Sequence, residues 1–341
     1  MSRRARKKLH VHFEDSIAKP DVFRLTAARI AAARRRNAAA AKLLRVTHGE
    51  DLRTLDEWLG RAHGLVSSAD FLLHPRFPLR SLAHAAPQLR WIHVIGAGIE
   101  RLLPLDWLHA GLRFTNNSGV HRPKMYEFAL MSLTMLNARV PELFHAQRER
   151  RWQPIFTPMC RGRRLLVLGT GDLGGVFARA GRHLGMHVDG LSRSGRRVPG
   201  FDAVHPISRL ARLLPAADVL AIAAPLTAQT RGLIGPPALA ALKRGAGLLN
   251  VGRGAIVDSA ALAEALRAGQ ISSAILDVFE EEPLPADSPL WTVPNLYISP
   301  HCSSDDAELY IPLTLDLAFD NARRLAIGRP LRNLVDASRQ Y

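Results

Sequence analysis

Three short segments bring together side chains that can do chemistry. Asn250-Val251-Gly252-Arg253-Gly254 sets an arginine between two glycines at the end of an apolar run. Leu276-Asp277-Val278-Phe279-Glu280-Glu281-Glu282-Pro283 follows another apolar run with a block of carboxylates. Ser299-Pro300-His301-Cys302 puts a histidine just past a third. An arginine can hold a carboxylate through two parallel N–H···O bonds. A histidine can give a proton to a carbonyl oxygen, and a carboxylate beside it can orient the imidazole and favour its protonated form. Taken singly, each has a plain structural reading: a solvated arginine in a glycine turn, a surface glutamate before a proline, a structural histidine after one. They become a set through what precedes them in the chain.

That is the stretch Leu165-Leu166-Val167-Leu168-Gly169-Thr170-Gly171-Asp172-Leu173-Gly174. Four apolar residues run into a G-x-G-x-x-G turn, and Val176, Phe177, Ala180 and Leu184 continue with helical spacing. Gly169 permits the tight turn, Gly171 lets a pyrophosphate approach the backbone, and Gly174 lets the helix lie against the strand. The helix then turns its unpaired N–H groups and positive dipole end toward the phosphates. A strand before the glycines and a helix after them is the context in which this motif reads as a dinucleotide site. An arginine, a carboxylate and a histidine beside a nicotinamide suit carbonyl reduction.

The surrounding elements alternate. Strand-like runs recur at His187–Leu191, Asp218–Ala223, Gly247–Val251, Ala274–Val278 and Leu296–Ser299. Helical patterns fill Ser208–Leu214 and Ser259–Ala268, the latter with Asp258 as N-cap. The strands are apolar throughout, as expected when helices cover both faces of a parallel sheet. The three chemical segments then lie at C-terminal strand ends, where open α/β sheets bind ligands. The half before the glycines alternates too. Strands are expected at Leu9–Phe13, Leu43–Thr47, Gly64–Ser67, Trp91–Ile95 and Arg113–Asn116, and helices at Thr26–Ala41, Leu52–Leu59 and Leu79–Ala85. A longer helical stretch, Pro123–Arg151, is expected to kink or divide at Pro141. A last helix spans roughly Asp305–Ile327 before Gly328 and Pro330 stop it, with no obvious place in a six-strand cofactor sheet.

Composition bounds the rest. A chain of 341 residues with 47% apolar content has room for two domains with real cores. No run of 18 apolar residues suggests a membrane span. The basic start, Met1–Lys8, lacks a hydrophobic stretch behind it, which argues against a secretory signal. The net charge is +16, yet only six of 46 basic residues are lysines and the arginines spread along the whole chain. That is a compositional bias rather than a nucleic-acid patch, although positive potential helps draw in anions. Cys160 and Cys302 make no disulfide framework and suggest a reducing, cytoplasmic setting. No Cys/His cluster has zinc spacing, so no structural metal is expected.

The chain resembles the D-isomer-specific 2-hydroxyacid dehydrogenase family, in its glyoxylate and hydroxypyruvate reductase branch. Beyond the segments above, Trp91-Ile92-His93-Val94-Ile95-Gly96-Ala97-Gly98-Ile99 matches the family's substrate-loop region. Asn117-Ser118-Gly119-Val120-His121 matches the crossing into the cofactor domain, and Gly328-Arg329-Pro330-Leu331-Arg332-Asn333 the closing motif. The resemblance implies two doubly wound parallel-sheet domains, a Rossmann cofactor domain (119–301) inserted into a flavodoxin-like substrate domain (1–118 and 302–341). It implies that Arg253 binds the substrate carboxylate and keto oxygen, that Glu282 pairs with His301, and that His301 is the general acid/base. It adds the backbones of Ala97 and Gly98 as carboxylate contacts and Asp277 as a contact of the nicotinamide carboxamide. Candidate cofactor contacts are Gly169, Gly171, Asp172, Leu173, Gly174, Ser192, Arg193, Ser194, Pro225, Val251 and Asp277. It further implies hinges near Ser118 and His301 that let a cleft close, and a homodimer joined through the arm Arg122–Phe156. Substrate choice lies in the loops around 66–76 and 96–101. Two departures stand out: bulky Tyr126, expected in interface packing or a constricted cleft, and Cys302 directly after the histidine, expected to pack but open to oxidation.

The expected activity is NAD(P)H-dependent reduction of glyoxylate or hydroxypyruvate. The alternatives are a dehydrogenase of another small anion and a non-catalytic dinucleotide sensor or corepressor. NADP(H) is expected over NAD(H). An NAD-selective turn carries an acid about 20 positions after the first glycines; here Ser192 stands in its place, Asp189 lies three residues earlier inside the strand, and Arg193, Arg196 and Arg197 follow. Neither nucleic acid nor membrane is an expected partner.

Overall fold

In the computed structural model, which describes residues 8–337, nearly every apolar run picked out above forms a parallel strand. Apart from Lys8, the basic chain start lies outside the described residues. The chain divides into two compact units, one built from residues up to Val120 and from Asp306 onward, the other spanning His121–Asp305.

The first unit has strands β1 (Leu9–Asp15), β2 (Leu44–Glu50), β3 (Gly64–Ser67), β4 (Trp91–Val94) and β5 (Arg113–Thr115). They pair in the order β2-β1-β3-β4-β5, all parallel, which is the flavodoxin-like arrangement. The final helix, Tyr310–Ala326, belongs here, where Phe319 stacks on Phe13 of β1 at 5.6 Å. All of β1 is buried, but its second face is not apolar. His12 Nε2 pairs with Glu14 Oε2 at 2.7 Å, Thr47 Oγ1 bridges the rings of His10 and His12 at 2.8 and 2.9 Å, and Trp58 stacks on His12 at 4.1 Å. Buried polar groups are tolerated when bonded in this way.

The second unit has strands β6 (Arg164–Leu168), β7 (His187–Ser192), β8 (Ala203–Pro206), β9 (Val219–Ile222), β10 (Ala246–Asn250), β11 (Ile271–Leu276) and β12 (Leu296–Ile298). Their order is β12-β11-β10-β9-β6-β7-β8, and every pairing is parallel. This is the dinucleotide-binding order with one strand added beyond the sixth. The expectation of six strands is corrected to seven. The missed β8 is a half-buried edge strand carrying a histidine and ending in Pro206, and proline is confined to edges because it cannot donate to a ladder.

Helices show the usual boundary losses. The 123–151 stretch is two helices, Arg122–Asn137 and Val140–Arg148, parted at Arg139, whose φ is +56°. Pro141 therefore does not kink a helix. It sits in the first turn of the second one, where a missing N–H costs nothing. Ser208–Leu214 keeps only Leu210–Leu213 as α-helix, between two 3₁₀ turns. Leu52–Leu59 shrinks to Leu55–Trp58, and the last helix begins at Tyr310 rather than Asp305. Ser259–Arg267 forms as expected, with the Asp258 carboxylate accepting from the Ala261 N–H at 2.9 Å. Among the described residues no helix is long and apolar enough to cross a membrane.

Candidate active site

The sheet of the second unit reverses direction of winding between β6 and β9, so ligands are expected above the carboxyl ends of those strands. The glycine turn lies there. Gly169 has φ +98°, and a Cβ on it would meet the backbone of Ala223 and Ala224 within 2.8 Å. A Cβ on Gly174 would sit 1.8 Å from the Gly169 carbonyl oxygen. Gly171, by contrast, faces open space, and the helix Asp172–His183 that it starts has no side-chain cap. The unbonded N–H groups at that end and the room above Gly171 fit a pyrophosphate. Asp172, in the first turn, pairs with Arg122, and Leu173 is half-buried against the core. Pro225 is exposed past β9, and its carbonyl accepts from Thr230 Oγ1 at 2.8 Å. Val251 is buried past β10.

At the end of β7, Ser192 Oγ accepts from the Gly195 N–H at 3.0 Å, and Ser194 Oγ from the Arg196 N–H at 3.3 Å. These side chains build a turn that leaves Arg193, Arg196 and Arg197 exposed. Asp189 is buried inside β7 and bonded to Arg164 at 3.0 Å and His187 at 3.2 Å.

Three loops carry the chemical set. Arg253 lies in extended backbone at φ −144° and ψ 143°, and its Nη1 donates to the Gly252 carbonyl at 2.7 Å. Fully buried Asn250 shapes this turn: its Oδ1 accepts from the Gly252 N–H and its Nδ2 donates to the Arg253 carbonyl, both at 3.0 Å. The flanking glycines are required by packing. A Cβ on Gly252 would meet the Ala224 carbonyl at 2.6 Å, and one on Gly254 the Phe279 carbonyl carbon at 1.9 Å. Gly254 thus presses the arginine turn against the loop that carries Glu282.

Glu282 and His301 are brought together. His301 Nδ1 lies 2.6 Å from Glu282 Oε2, and Glu282 Oε1 accepts from the Phe279 N–H at 2.8 Å. The carboxylate is therefore fixed at both oxygens, and half the imidazole surface stays exposed. Nδ1 being taken, Nε2 is the ring nitrogen left to act. His301 sits at φ +51°, a region where non-glycine backbone persists only if its surroundings hold it.

Asp277 does much of that holding. It is buried at the end of β11 and receives Ser299 Oγ at 2.6 Å, the Cys302 N–H at 3.2 Å and the Ser303 N–H at 3.1 Å on Oδ1, and Ser303 Oγ at 2.5 Å on Oδ2. Its carbonyl accepts from the His301 N–H at 2.9 Å. Burial pushes its carboxyl up, against the pull of the Ser299 and Ser303 bonds. Here the carboxylate of Asp277 braces the histidine loop. Cys302 does not pack as expected; it is exposed, with Sγ 3.7 Å from Ser299 Oγ. Tyr126 lies half-buried on the helix Arg122–Asn137 with the Arg179 guanidinium 4.4 Å above its ring.

Next to this loop stand His121 and Asp305, which the sequence did not single out as functional side chains. Burial pushes the His121 imidazole down and the Asp305 carboxyl up, while their mutual attraction opposes both shifts. In the first unit, Ala97 and Gly98 follow β4 in a half-buried loop, where Asn116 Nδ2 donates to the Ala97 carbonyl at 2.8 Å.

The chain belongs to the D-isomer specific 2-hydroxyacid dehydrogenase family of NAD(P)-dependent oxidoreductases: residues 130–303 match the model of that family's NAD binding domain. Within the family it falls in the glyoxylate/hydroxypyruvate reductase-like branch. It is 36% identical over 264 residues to a glyoxylate reductase of Aeropyrum pernix, covering 75% of this chain and 78% of that one. A solved D-isomer specific 2-hydroxyacid dehydrogenase from Xanthobacter autotrophicus, in complex with NADPH and MES, superposes with a TM-score of 0.81 at 31% identity, covering 98% of this chain and all of that one. An NADPH-dependent glyoxylate/hydroxypyruvate reductase from Sinorhizobium meliloti, in complex with NADP and sulfate, gives a TM-score of 0.78 at 25% identity, covering 98% and 100%.

Proposed function

We propose that the chain reduces a small 2-ketoacid, glyoxylate or hydroxypyruvate, to the 2-hydroxyacid, using NADPH in preference to NADH. The observation that carries this reading is the 2.6 Å pairing of His301 with Glu282 in the unit that holds the glycine cradle. The names of the relatives support the substrate class. When bound, the nicotinamide cofactor supplies the hydride for the keto carbon. Arg253 holds the substrate carboxylate and keto oxygen, and His301 Nε2 gives the proton to that oxygen. Glu282 fixes the ring's orientation, and Asn250 and Asp277 hold the two loops. Gly169, Gly171, Asp172, Leu173 and Gly174 form the pyrophosphate cradle, and Pro225 and Val251 line the cofactor path. Ala97 and Gly98 remain proposed substrate contacts on their own unit.

The cofactor preference is supported by the β7 turn. It offers three exposed guanidinium groups and two serine side chains, and Asp189, the carboxylate inside β7, is buried and ion-paired. A 2′-phosphate finds donors there and no repelling charge.

We also propose a homodimer in a reducing, cytoplasmic setting. Trp152, Phe156 and Met159 are 97, 93 and 75% exposed, more apolar surface than one arm normally leaves in water. Both cysteines are free.

The test is to follow oxidation of NADPH and NADH with glyoxylate, hydroxypyruvate and pyruvate. Turnover with glyoxylate or hydroxypyruvate is expected. Tight cofactor binding with no turnover on any 2-ketoacid would replace this reading with a dinucleotide sensor.

A further inference from the structure

His121 opens the second unit and Asp305 closes it. The two lie side by side next to the histidine loop. Nδ1 of His121 is 3.4 Å from the Ser304 carbonyl oxygen, 3.4 Å from Ser304 Oγ and 3.6 Å from Asp305 Oδ1. A carbonyl and a carboxylate can only accept, so Nδ1 is the nitrogen that carries the proton. The side chain is 12% exposed. His301 faces it from the loop, and Asp172 from the start of the helix Asp172–His183, where Arg122 pairs with Asp172. Asp277 and His301 face Asp305.

The loop from Ser299 to Asp305 therefore has two anchors. Asp277 takes its first half through Ser299, Cys302 and Ser303. His121 takes its second half through Ser304 and Asp305. Between them His301 is held at φ +51°, a conformation its side chain disfavours.

We propose that His121 is a positioning residue for the reduction: by holding Ser304 and Asp305 it fixes the downstream half of the loop that aims His301. This rests on the reading of His301 as the acid in 2-ketoacid reduction. His121 contributes through the loop. Loss of its N–H lets the left-handed turn at His301 relax and turns the ring away from the substrate oxygen.

The test compares His121→Leu with His121→Asn, whose amide nitrogen falls near the place of Nδ1. His121→Leu should lower kcat about tenfold or more with the Kd for NADPH changed less than about twofold, and His121→Asn should recover most of the loss. A second readout needs no activity. Hydrogen exchange of the peptide covering 299–305 should speed up in His121→Leu and return toward wild type in His121→Asn. Wild-type kcat and unchanged exchange in His121→Leu overturn the proposal. So does His121→Asn as impaired as His121→Leu at unchanged exchange. Should His121→Leu not fold, Asp305→Ala takes its place with the same expected loosening. A wild-type protein inactive on every 2-ketoacid overturns the functional reading instead, and the exchange data then decide the role of His121 by themselves.

Discussion

At the scale of single residues, each member of the proposed set fails in its own way. His301→Asn removes the proton donor and should cut turnover by roughly 10²–10⁴-fold while cofactor affinity stays nearly intact. Wild-type turnover in that variant would eliminate His301 as the acid. Glu282→Gln weakens the 2.6 Å pairing that orients the ring, so kcat should fall with cofactor affinity nearly intact, and an unmoved kcat would show that the pair is not coupled to the chemistry. Arg253→Lys keeps the charge but loses the planar two-donor fork, so substrate KM should rise and kcat fall with little change in cofactor affinity. A kinetically silent lysine would remove Arg253 from the substrate. The pairing of His301 with Glu282 was legible before any coordinates through the family resemblance, while glycines and prolines mark only the strand ends that carry both. The supports were not. Asn250, Ser299 and Ser303 look like ordinary polar residues near strand ends, and only a folded backbone shows which carbonyl or N–H they meet. Asp277 was read only as a cofactor contact, and nothing in the sequence showed that its carboxylate also meets four donors of one loop.

At the scale of elements, legibility followed burial. Gly64–Ser67 was placed to the residue, and the long buried strands to within a few, because continuous apolar runs leave little alternative. The half-buried β8 and the short helix Pro236–Ala241 carry no such run and were missed. The turn after β7 is the element that chooses the cofactor. Arg193→Ala should lower kcat/KM for NADPH relative to NADH; a wild type favouring NADH, or a ratio untouched by the change, would sink the assignment. The sheet of the first unit carries a pH dependence of its own. His93 on β4 is fully buried, with Nδ1 2.9 Å from Thr115 Oγ1, and burial takes its imidazole from an ordinary 6.5 down to about 4. The unfolded chain accepts that proton near 6.5 and the folded one only near 4. Stability is thus full above pH 6.5, falls as the pH drops through that window, and levels off below it. The window is worth about 3 kcal/mol at 1.36 kcal/mol per pH unit. Burial lowers His10 and His12 as well, so both act in the same direction. Denaturant midpoints of wild type and His93→Gln between pH 7 and 4.5 check this, and the variant should show the shallower fall.

At the scale of the molecule, the exposed arm and the order of the chain matter most. Trp152→Ser with Phe156→Ser should shift sedimentation from dimer toward monomer; a monomeric wild type would end the dimer proposal. The insertion itself has a consequence for biosynthesis. The cofactor unit is one uninterrupted stretch, so all of its strands have left the ribosome before the chain returns to the first sheet. The first sheet, made earlier, lacks the helix Tyr310–Ala326 until the whole of the cofactor unit has been made. Phe13 and Leu25 wait for Leu315 and Phe319, all of them fully buried in the finished protein. The first domain to begin is therefore the last to be completed, and its uncovered face is what a chaperone would meet on the nascent chain.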